Sequence, residues 1–202
     1  FKEQFSGKKA IIITDTSTYQ VAGASIVKQF ESNNIKLEPA FIYSDPELYA
    51  EYKYVDELIA ALEQHNAIPV AVGSGTINDL TKLAAHLTNR PYMCVATAAS
   101  MDGYTAFGAS ITANGAKQTF NCPAPQACLA DIDILSAAPT EMTAAGYADL
   151  FAKITAGADW ILADVLGVEP IDQTAWSIVQ DGLHEALANP KGTRNGEINA
   201  VT

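Results

Sequence analysis

Short apolar runs alternate with amphipathic segments along the first half of the chain. The runs have the length and the β-branched content of buried strands, which we predict at Lys8–Thr14, Leu37–Tyr43, Ile68–Val72 and Tyr92–Ala96. Between them, apolar residues recur at the spacing of one helix face, which predicts helices at Tyr19–Phe30, Val55–Gln64 and Ile77–Leu87. This alternation predicts an α/β fold, with helices packed on a mostly parallel, Rossmann-like sheet.

The alternation of strands and helices stops after residue 97. The turn Asn114-Gly115-Ala116 lies between two strand-like segments, 105–112 and 117–121, and predicts a β-ribbon. Beyond it we predict a strand at Ala127–Ile132, helices at Thr140–Gly167 and Ile171–Ala188, and a polar loop at Asn189–Gly196. We therefore expect an α/β domain over residues 1–137, followed by the first part of an all-helical domain over residues 138–202.

Composition narrows the classes of partner. Acidic residues outnumber basic ones by 23 to 12, and the formal net charge of -11 repels the phosphate backbone of nucleic acids. The apolar runs are shorter than the roughly 20 residues that a membrane-spanning helix needs. The three cysteines form no CxxC pair, and the N-terminal residues show no signal-peptide pattern. We expect a cytoplasmic protein with no nucleic-acid or membrane partner, whose sequence begins at Phe1 inside a longer protein.

The segment from Val70 to Lys82, VAVGSGTINDLTK, runs from a strand through two glycines into a helix. Gly73 and Gly75 would let the backbone approach a pyrophosphate, and the first helical turn offers free N–H groups and a partial positive charge. The usual dinucleotide fingerprint has a third glycine and follows the first strand. From the residues alone, a phosphate-binding loop and a simple tight turn both stay open. Asp79 can equally be an acid that complements the helix dipole.

Two further segments carry groups suited to chemistry. Thr97, Ser100 and Asp102 follow the fourth predicted strand, where a ligand of an α/β sheet is expected, although an ordinary Asp-Gly turn explains Asp102 equally well. Asp149 and Lys153 share one face of a predicted helix. An ion pair between them is one interpretation, and a metal-ligating Asp149 is the other. The three histidines of the chain do not strengthen the metal interpretation.

Taken in order, three segments resemble the sn-glycerol-1-phosphate dehydrogenase family, most closely its bacterial branch: GSGTINDLTK (Gly73–Lys82), TAASMDGYT (Thr97–Thr105) and GYADLFAKITAGADW (Gly146–Trp160). That family belongs with the iron-type alcohol dehydrogenases, the glycerol dehydrogenases and the dehydroquinate synthases. The resemblance covers the whole chain in layout, and its specificity lies in three motifs that occur in the correct order and spacing. It implies a dehydroquinate synthase-like fold, with a nucleotide-binding domain followed by a helical domain.

The resemblance also implies a function. It indicates a metal-dependent, NAD- or NADP-linked dehydrogenase that interconverts dihydroxyacetone phosphate and sn-glycerol 1-phosphate by hydride transfer, working as a homo-oligomer. The implied cofactor-binding residues are Asp15 at the adenosine ribose, Gly73, Ser74, Gly75, Thr76, Ile77 and Asp79 at the pyrophosphate, and Thr97 and Ser100 beside the nicotinamide. Ala106 stands where family members commonly carry a serine that reaches the cofactor, so one hydrogen bond is expected to be absent.

On the substrate side, the resemblance implies two catalytic aspartates. Asp102 would contact the substrate, and Asp149 would both contact the substrate and ligate one divalent metal, which could be zinc, nickel or iron. Lys153 is a candidate for holding the substrate phosphate. The two remaining metal ligands, both histidines, would lie beyond Thr202, so the segment alone is expected to be inactive.

Two alternatives stay open at this point. One is another enzyme of the same fold, a glycerol dehydrogenase or a dehydroquinate synthase-like enzyme, which differs in its substrate and in how it uses the cofactor. The other is a non-catalytic nucleotide-binding module, which keeps the glycine loop but lacks a complete metal site. Two histidines on helices beyond Thr202 would favour an enzyme over the module.

Overall fold

The computed structural model describes residues 1–201, and of Val201 the backbone alone. Its strands are β1 (Ala10–Asp15), β2 (Phe41–Tyr43), β3 (Ile68–Gly73), β4 (Met93–Ala96), β5 (Ala109–Ala113), β6 (Ala116–Phe120) and β7 (Ala127–Ala130). Its α-helices are α1 (Thr16–Thr18), α2 (Ala24–Ser32), α3 (Tyr52–Leu62), α4 (Gly75–Leu87), α5 (Ile132–Ser136), α6 (Thr140–Val165), α7 (Gln173–Gln180), α8 (Leu183–Ala186), α9 (Pro190–Arg194) and α10 (Ile198–Val201). A π-helical turn, Tyr19–Gly23, joins α1 to α2, and a 3₁₀ turn, Gly103–Thr105, precedes β5.

Five strands form one sheet in the order β2-β1-β3-β4-β7, and every neighbouring pair is parallel. This arrangement confirms the predicted α/β fold. The remaining strands, β5 and β6, form the predicted antiparallel ribbon. Its turn places Asn114 and Gly115 at φ values of 53° and 76°, the left-handed pair that two-residue hairpins prefer.

The core lies on both faces of the central strands, as a parallel sheet requires. Ile12 of β1 and Val70 and Val72 of β3 belong to one apolar cluster, which Ile26 and Phe30 of α2 help to cover. Helix α4 also packs against β3 and is buried along most of its length. Burial on both faces excludes polar side chains, and for this reason the central strands are uninterrupted apolar runs in the sequence.

The chain divides into two compact units. The first comprises Phe1–Ala98 and Gly103–Leu135, and the second comprises Ala99–Asp102 together with the helices from Ser136 onward. The short segment Ala99–Asp102 therefore groups with the helical unit, although it falls inside the range 1–137 that the sequence assigned to the α/β domain.

Several predicted elements differ from the observed ones in their bounds or continuity, and three of these differences have a local cause. The strand predicted to reach Ile132 stops at Ala130, because Asp131 Oδ1 accepts the N–H of Asp133 (3.0 Å) and so begins α5. The helix predicted at Ile171–Ala188 is two helices, with Gly182 between them at φ 82°. The loop predicted at Asn189–Gly196 is also wrong, because it contains α9.

The N-terminus of α9 explains that error. Asn189 Oδ1 accepts the N–H of Gly192 (2.9 Å), and Pro190 occupies the first helical turn, where its missing N–H costs nothing. None of the helices in the described part of the chain combines the length and the apolar character needed to cross a lipid bilayer.

Candidate functional site

The Gly73 loop connects the end of β3 to the start of α4. The backbone of Gly73 runs so close to Ile77 that a Cβ added to Gly73 would lie 2.6 Å from the Cβ of Ile77. The first bond of the helix ladder runs from the Asn78 N–H to the Ser74 carbonyl (3.0 Å). The amides of Gly75, Thr76 and Ile77 precede this bond at the helix N-terminus. A tight turn followed by such amides is an anion-binding geometry.

The loop lies at a topological switch point of the sheet. β1 is flanked by β2 on one side and by β3 on the other. The chain therefore continues from β1 to β2 on one side and then crosses over to β3 on the other, so the strand order reverses at β1. Asp15 ends β1 and Gly73 ends β3, both at the carboxyl edge. Open α/β sheets bind ligands at the point where strand order reverses. The structure therefore brings the predicted ribose residue and the predicted pyrophosphate loop to the same part of the first unit.

Asp15 also has a structural role, which the sequence analysis missed. Its Oδ1 accepts the N–H groups of Ser17 and Thr18, both at 2.8 Å, and Thr18 Oγ1 accepts the Asp15 N–H at 3.2 Å. This reciprocal pattern is a capping box at the start of α1. The signal was present in the sequence as an acid followed three residues later by a hydroxyl residue. Any substitution of Asp15 must therefore preserve the cap.

Thr97 lies next to the Gly73 loop, at the end of β4. Its N–H donates to the Gly73 carbonyl (3.2 Å), and the residue is buried. Ser100, the second residue predicted beside the nicotinamide, belongs to the helical unit.

Asp79 faces β5 from the first turns of α4. Its Oδ2 accepts the N–H of Ser110 (3.1 Å), and its Oδ1 lies 4.0 Å from the ammonium nitrogen of Lys82. Burial raises the pKa of the Asp79 carboxyl above its usual value. Asp79 therefore attaches the β-ribbon to the helix whose N-terminus forms the candidate anion site.

Lys82 is a buried charge that the sequence analysis did not identify. Its side chain is fully buried, and its Nζ donates to the carbonyls of Ala106 (2.8 Å), Gly108 (3.0 Å) and Gly103 (3.4 Å). A buried ammonium is tolerated only when it is hydrogen-bonded. Lys82 therefore holds the loop from residue 103 to residue 108 against α4. At position 106 the backbone carbonyl, and not the side chain, accepts the hydrogen bond from Lys82.

The second unit contains an acidic cluster around the N-terminal half of α6. Gly146 lets the helix touch another stretch of backbone, because a Cβ at Gly146 would lie 2.0 Å from the carbonyl oxygen of Ala99. This contact brings the backbone N–H of Asp102 to the Asp149 carboxylate, with 2.9 Å between nitrogen and Oδ2. The structure thus places together two aspartates that the sequence predicted in different domains.

Lys153 forms an ion pair with Asp102. Its Nζ lies 2.8 Å from Asp102 Oδ2, and this hydrogen bond is the main reason why the pKa of Lys153 is raised. The sequence left an ion pair between Asp149 and Lys153 open as one interpretation, and the structure adds Asp102 as an ionic partner of Lys153. The Asp149 carboxylate accepts the backbone N–H of Asp102 and adds a smaller electrostatic contribution at the Lys153 ammonium.

A cavity of about 160 Å³ adjoins this cluster within the second unit. Its wall includes the carboxylate residue Asp102, the polar residues Thr143 and Tyr147, and the apolar side chains of Met101 and Leu150. Small polyols and their phosphates need a few polar groups in a mostly apolar pocket. The cavity offers this combination.

The described residues do not by themselves form a metal site. Nowhere in residues 1–201 do three or more His, Cys, Asp or Glu side chains converge on one point. The Asp102 carboxylate is engaged in an ion pair with Lys153, so Asp149 is the carboxylate of the cluster that could supply an oxygen ligand to a metal. A single carboxylate binds a divalent cation too weakly to hold it against water.

Comparisons with known proteins agree with this arrangement. The family model of the iron-containing alcohol dehydrogenases matches residues 1–139. The glycerol-1-phosphate dehydrogenase [NAD(P)+] of Bacillus velezensis is 36% identical over 183 residues, which is 88% of this chain and 45% of that protein. The enzyme of the same name from Methanosarcina mazei is 36% identical over 181 residues, 89% of this chain and 49% of that protein. The chain therefore spans about half the length of the curated relatives it matches.

Solved structures share the fold. The glycerol dehydrogenase of Schizosaccharomyces pombe superposes with a TM-score of 0.71 at 18% identity, over 100% of this chain and 55% of that one. A 2-deoxy-scyllo-inosose synthase, solved with carbaglucose-6-phosphate, NAD+ and Co2+, gives a TM-score of 0.63 at 22% identity, over 74% and 43% of the two chains. At these identities the likeness shows the fold alone.

Proposed function

This chain belongs to the iron-containing alcohol dehydrogenase family, as its three motifs predict, and from that premise we propose that the protein is an NAD(P)-dependent glycerol-1-phosphate dehydrogenase. Its reaction would be the interconversion of dihydroxyacetone phosphate and sn-glycerol 1-phosphate. The observation that carries the proposal is the Gly73 loop, whose free helix amides lie at the switch point of a parallel sheet. Relatives at 31 to 36% identity that bear this enzyme name support the choice of substrate.

The dinucleotide would bind along the carboxyl edge of the first unit. Its pyrophosphate would accept hydrogen bonds from the amides of Gly75, Thr76 and Ile77, where the helix dipole adds a favourable charge interaction. Gly73 and Ser74 would form the turn beneath it. Asp15 would contact the adenosine ribose, and Thr97 and Ser100 would line the nicotinamide.

The substrate would bind at the acidic cluster of the second unit. Asp102 would orient the substrate hydroxyl groups, and a substrate phosphate would compete with Asp102 for the ammonium of Lys153. When the phosphate replaces Asp102 as the partner of Lys153, the Asp102 carboxylate becomes free to accept a hydrogen bond from the polyol. Lys153 would in this way make the orientation of the substrate depend on its phosphate. Substrates without a phosphate would leave the ion pair intact.

The family name implies a metal, and Asp149 is the residue of the cluster that can supply a ligand to it. A bound divalent ion of the zinc, nickel or iron class would polarise the substrate oxygen as a Lewis acid. The amide of Asp102 would then hold the Asp149 carboxylate in a fixed orientation, as supporting hydrogen bonds do at metal sites.

A substrate panel tests the proposal on the protein expressed from its complete gene. We expect dihydroxyacetone phosphate to be reduced with NADH or NADPH, and sn-glycerol 1-phosphate to be oxidised in reverse. Oxidation of glycerol without reduction of dihydroxyacetone phosphate would assign the chain to glycerol dehydrogenases instead. Tight NAD binding with no turnover of any polyol, and no metal, would identify a nucleotide-binding module.

We extend the proposal to location and assembly. Three free cysteines are compatible with a reducing compartment, so we place the protein in the cytoplasm, which fractionation of the source cells checks. Exposed apolar side chains on and after α6, including Val165, Leu166 and Val168, favour a homo-oligomer of the complete protein. Sedimentation analysis measures its mass directly.

A further inference from the structure

Two cysteines lie side by side on neighbouring strands of the first unit. Cys94 of β4 and Cys128 of β7 are partners in the register of the parallel pair, so their side chains leave the sheet on the same face. Strand spacing places their Cα atoms about 4.8 Å apart. A disulfide needs Cα atoms at about 4.4 to 6.8 Å, so the pair lies within reach of one another.

The two thiols differ in access. Cys94 is completely buried, whereas Cys128 is exposed on β7, which has β4 as its single neighbour among the described strands. A reagent in solution can therefore reach Cys128 and not Cys94. This arrangement, an accessible thiol beside a sheltered one, is that of an attacking and a resolving cysteine.

The chemistry of the pair points the same way. A hydrogen bond with Cys94 lowers the pKa of Cys128 to about 7 and raises the pKa of Cys94. From α4, the cation of Lys82 and the carboxylate of Asp79 act on Cys94 in opposite directions. A substantial fraction of Cys128 is therefore thiolate near neutral pH, and the thiolate is the nucleophile in disulfide exchange.

We propose that Cys128 and Cys94 form a thiol–disulfide exchange site for low-molecular-weight disulfides such as oxidised glutathione. The inference rests on the geometry of the first unit and is independent of the proposed dehydrogenase activity. The third cysteine, Cys122, is buried, and its thiol donates a hydrogen bond to the carbonyl of Phe120 (3.4 Å), so it takes no part.

The exchange proceeds in two balanced steps. The Cys128 thiolate attacks one sulfur of oxidised glutathione, which forms a mixed disulfide and releases one glutathione thiolate. Cys94 then loses its proton to that leaving group, attacks Cys128 Sγ, and releases the second glutathione. Two protein thiols are oxidised, and one small disulfide is reduced to two thiols.

The product should be labile. Parallel strands hold in-register Cβ atoms at nearly the strand spacing, which exceeds the mean of about 3.8 Å found in disulfides. Closure therefore requires β7 to move towards β4, and the edge position of β7 permits this movement. A strained bond of this kind is readily reduced, so the site would be reversible.

Intact-mass measurement after incubation with oxidised glutathione, followed by peptide mapping, tests the proposal. We expect wild type to lose two hydrogen masses through a Cys94–Cys128 link that dithiothreitol reverses. Cys94→Ser should stop at one glutathione on Cys128, and Cys128→Ser should remain unmodified. Cys122→Ser is the matched control and should behave as wild type. Cys94→Ala serves as a second variant for the buried position, and circular dichroism confirms that each variant is folded.

Two results would overturn the assignment. One is a Cys128→Ser protein that is still modified at the wild-type rate, because Cys128 would then not be the attacking thiol. The other is a wild-type protein that retains glutathione on Cys128 to the same extent as folded Cys94→Ser, because Cys94 would then not attack the mixed disulfide on Cys128.

Discussion

The backbone N–H of Asp102 donates a hydrogen bond to the carboxylate of Asp149, at 2.9 Å between nitrogen and Oδ2. The two acids are therefore joined but are not equivalent. Asp102 directs its own carboxylate at the ammonium of Lys153 (2.8 Å), whereas Asp149 uses its carboxylate to accept the backbone amide of Asp102. Substituting each aspartate should therefore impair a different property of the enzyme.

Replacing each aspartate by asparagine in the full-length enzyme separates metal binding from substrate orientation. Asp149→Asn removes the anionic ligand, so we expect bound metal to fall at least about tenfold and activity to fall with it, with partial rescue by added metal. Asp102→Asn should keep its metal and lose turnover or substrate affinity. Elemental analysis beside steady-state kinetics measures both quantities. Full metal occupancy in Asp149→Asn would remove Asp149 from the ligand set.

A negative charge in the Gly73 loop should abolish cofactor binding. Gly75→Asp places a side chain and a charge where the pyrophosphate would lie, so NAD(H) affinity should fall roughly hundredfold or more, which is about 2.8 kcal/mol. Asn89→Asp adds the same charge just after the opposite end of α4 and should bind as wild type does. Calorimetric titration gives both constants. Equal affinity in two folded variants would be incompatible with a cofactor at this loop.

Asp15 should favour NAD over NADP, because its carboxylate would repel a 2'-phosphate on the ribose. Asp15→Ser removes the charge but keeps an oxygen that can cap α1, so the fold is preserved. We expect the ratio of NADP to NAD affinity to rise about tenfold, or ~1.4 kcal/mol. Asp15→Asn, an uncharged residue of the same shape, should shift the ratio similarly. An unchanged ratio in both variants means that Asp15 acts as a helix cap alone.

The close approach of α6 to the backbone of Ala99 leaves no room for a side chain at Gly146. Gly146→Ala drives a Cβ into the Ala99 carbonyl and should lower the free energy of unfolding by about 1–3 kcal/mol. Gly157→Ala, in the same helix, meets the flexible end of the Gln180 side chain and should be neutral or stabilising by up to about 1 kcal/mol. Chemical denaturation followed by circular dichroism compares the two. Equal stabilities would show that the helix and the segment 99–102 are not in contact in solution.

Removing the buried ammonium should destabilise the first unit. Lys82→Met removes the cation beside the Asp79 carboxylate and the hydrogen-bond donor of three carbonyls, for which we expect a loss of about 3–5 kcal/mol in the free energy of unfolding. Lys28→Met, at an exposed position of α2, should change it by no more than about 0.5 kcal/mol. Denaturant titration of both proteins provides the values. A Lys82→Met protein as stable as the Lys28 variant would contradict the buried network.

The sequence predicted those parts of the fold that depend on local pattern. The strands β1, β3 and β4 were predictable because burial on both faces leaves uninterrupted apolar runs. The helix at Pro190 was missed, although an asparagine cap followed by a proline signals such a start. The polar residues around this helix start are equally typical of a loop, and they conceal the cap signal.

Contacts between distant segments could not be predicted in the same way. Lys82 reads as an ordinary surface lysine of an amphipathic helix, and its burial depends on a loop more than twenty residues later in the chain. Likewise, Asp102 and Asp149 are 47 positions apart, and their contact requires an α6 glycine that admits the backbone of residue 99. The pairing of β4 with β7, which aligns the two cysteines, is also set by the whole sheet.

Eight of the thirteen residues of α4 are buried, so the helix is anchored along its length before any ligand arrives. Its amide hydrogens from Asn78 onward, which are bonded within the helix, should exchange with solvent only when the whole unit opens, whether or not a dinucleotide is bound. An anion that docks on its first turn would meet preorganised donors and would lose little affinity to chain ordering. Mild denaturant should therefore leave affinity at the Gly73 loop nearly constant until the α/β unit unfolds, at which point both disappear together.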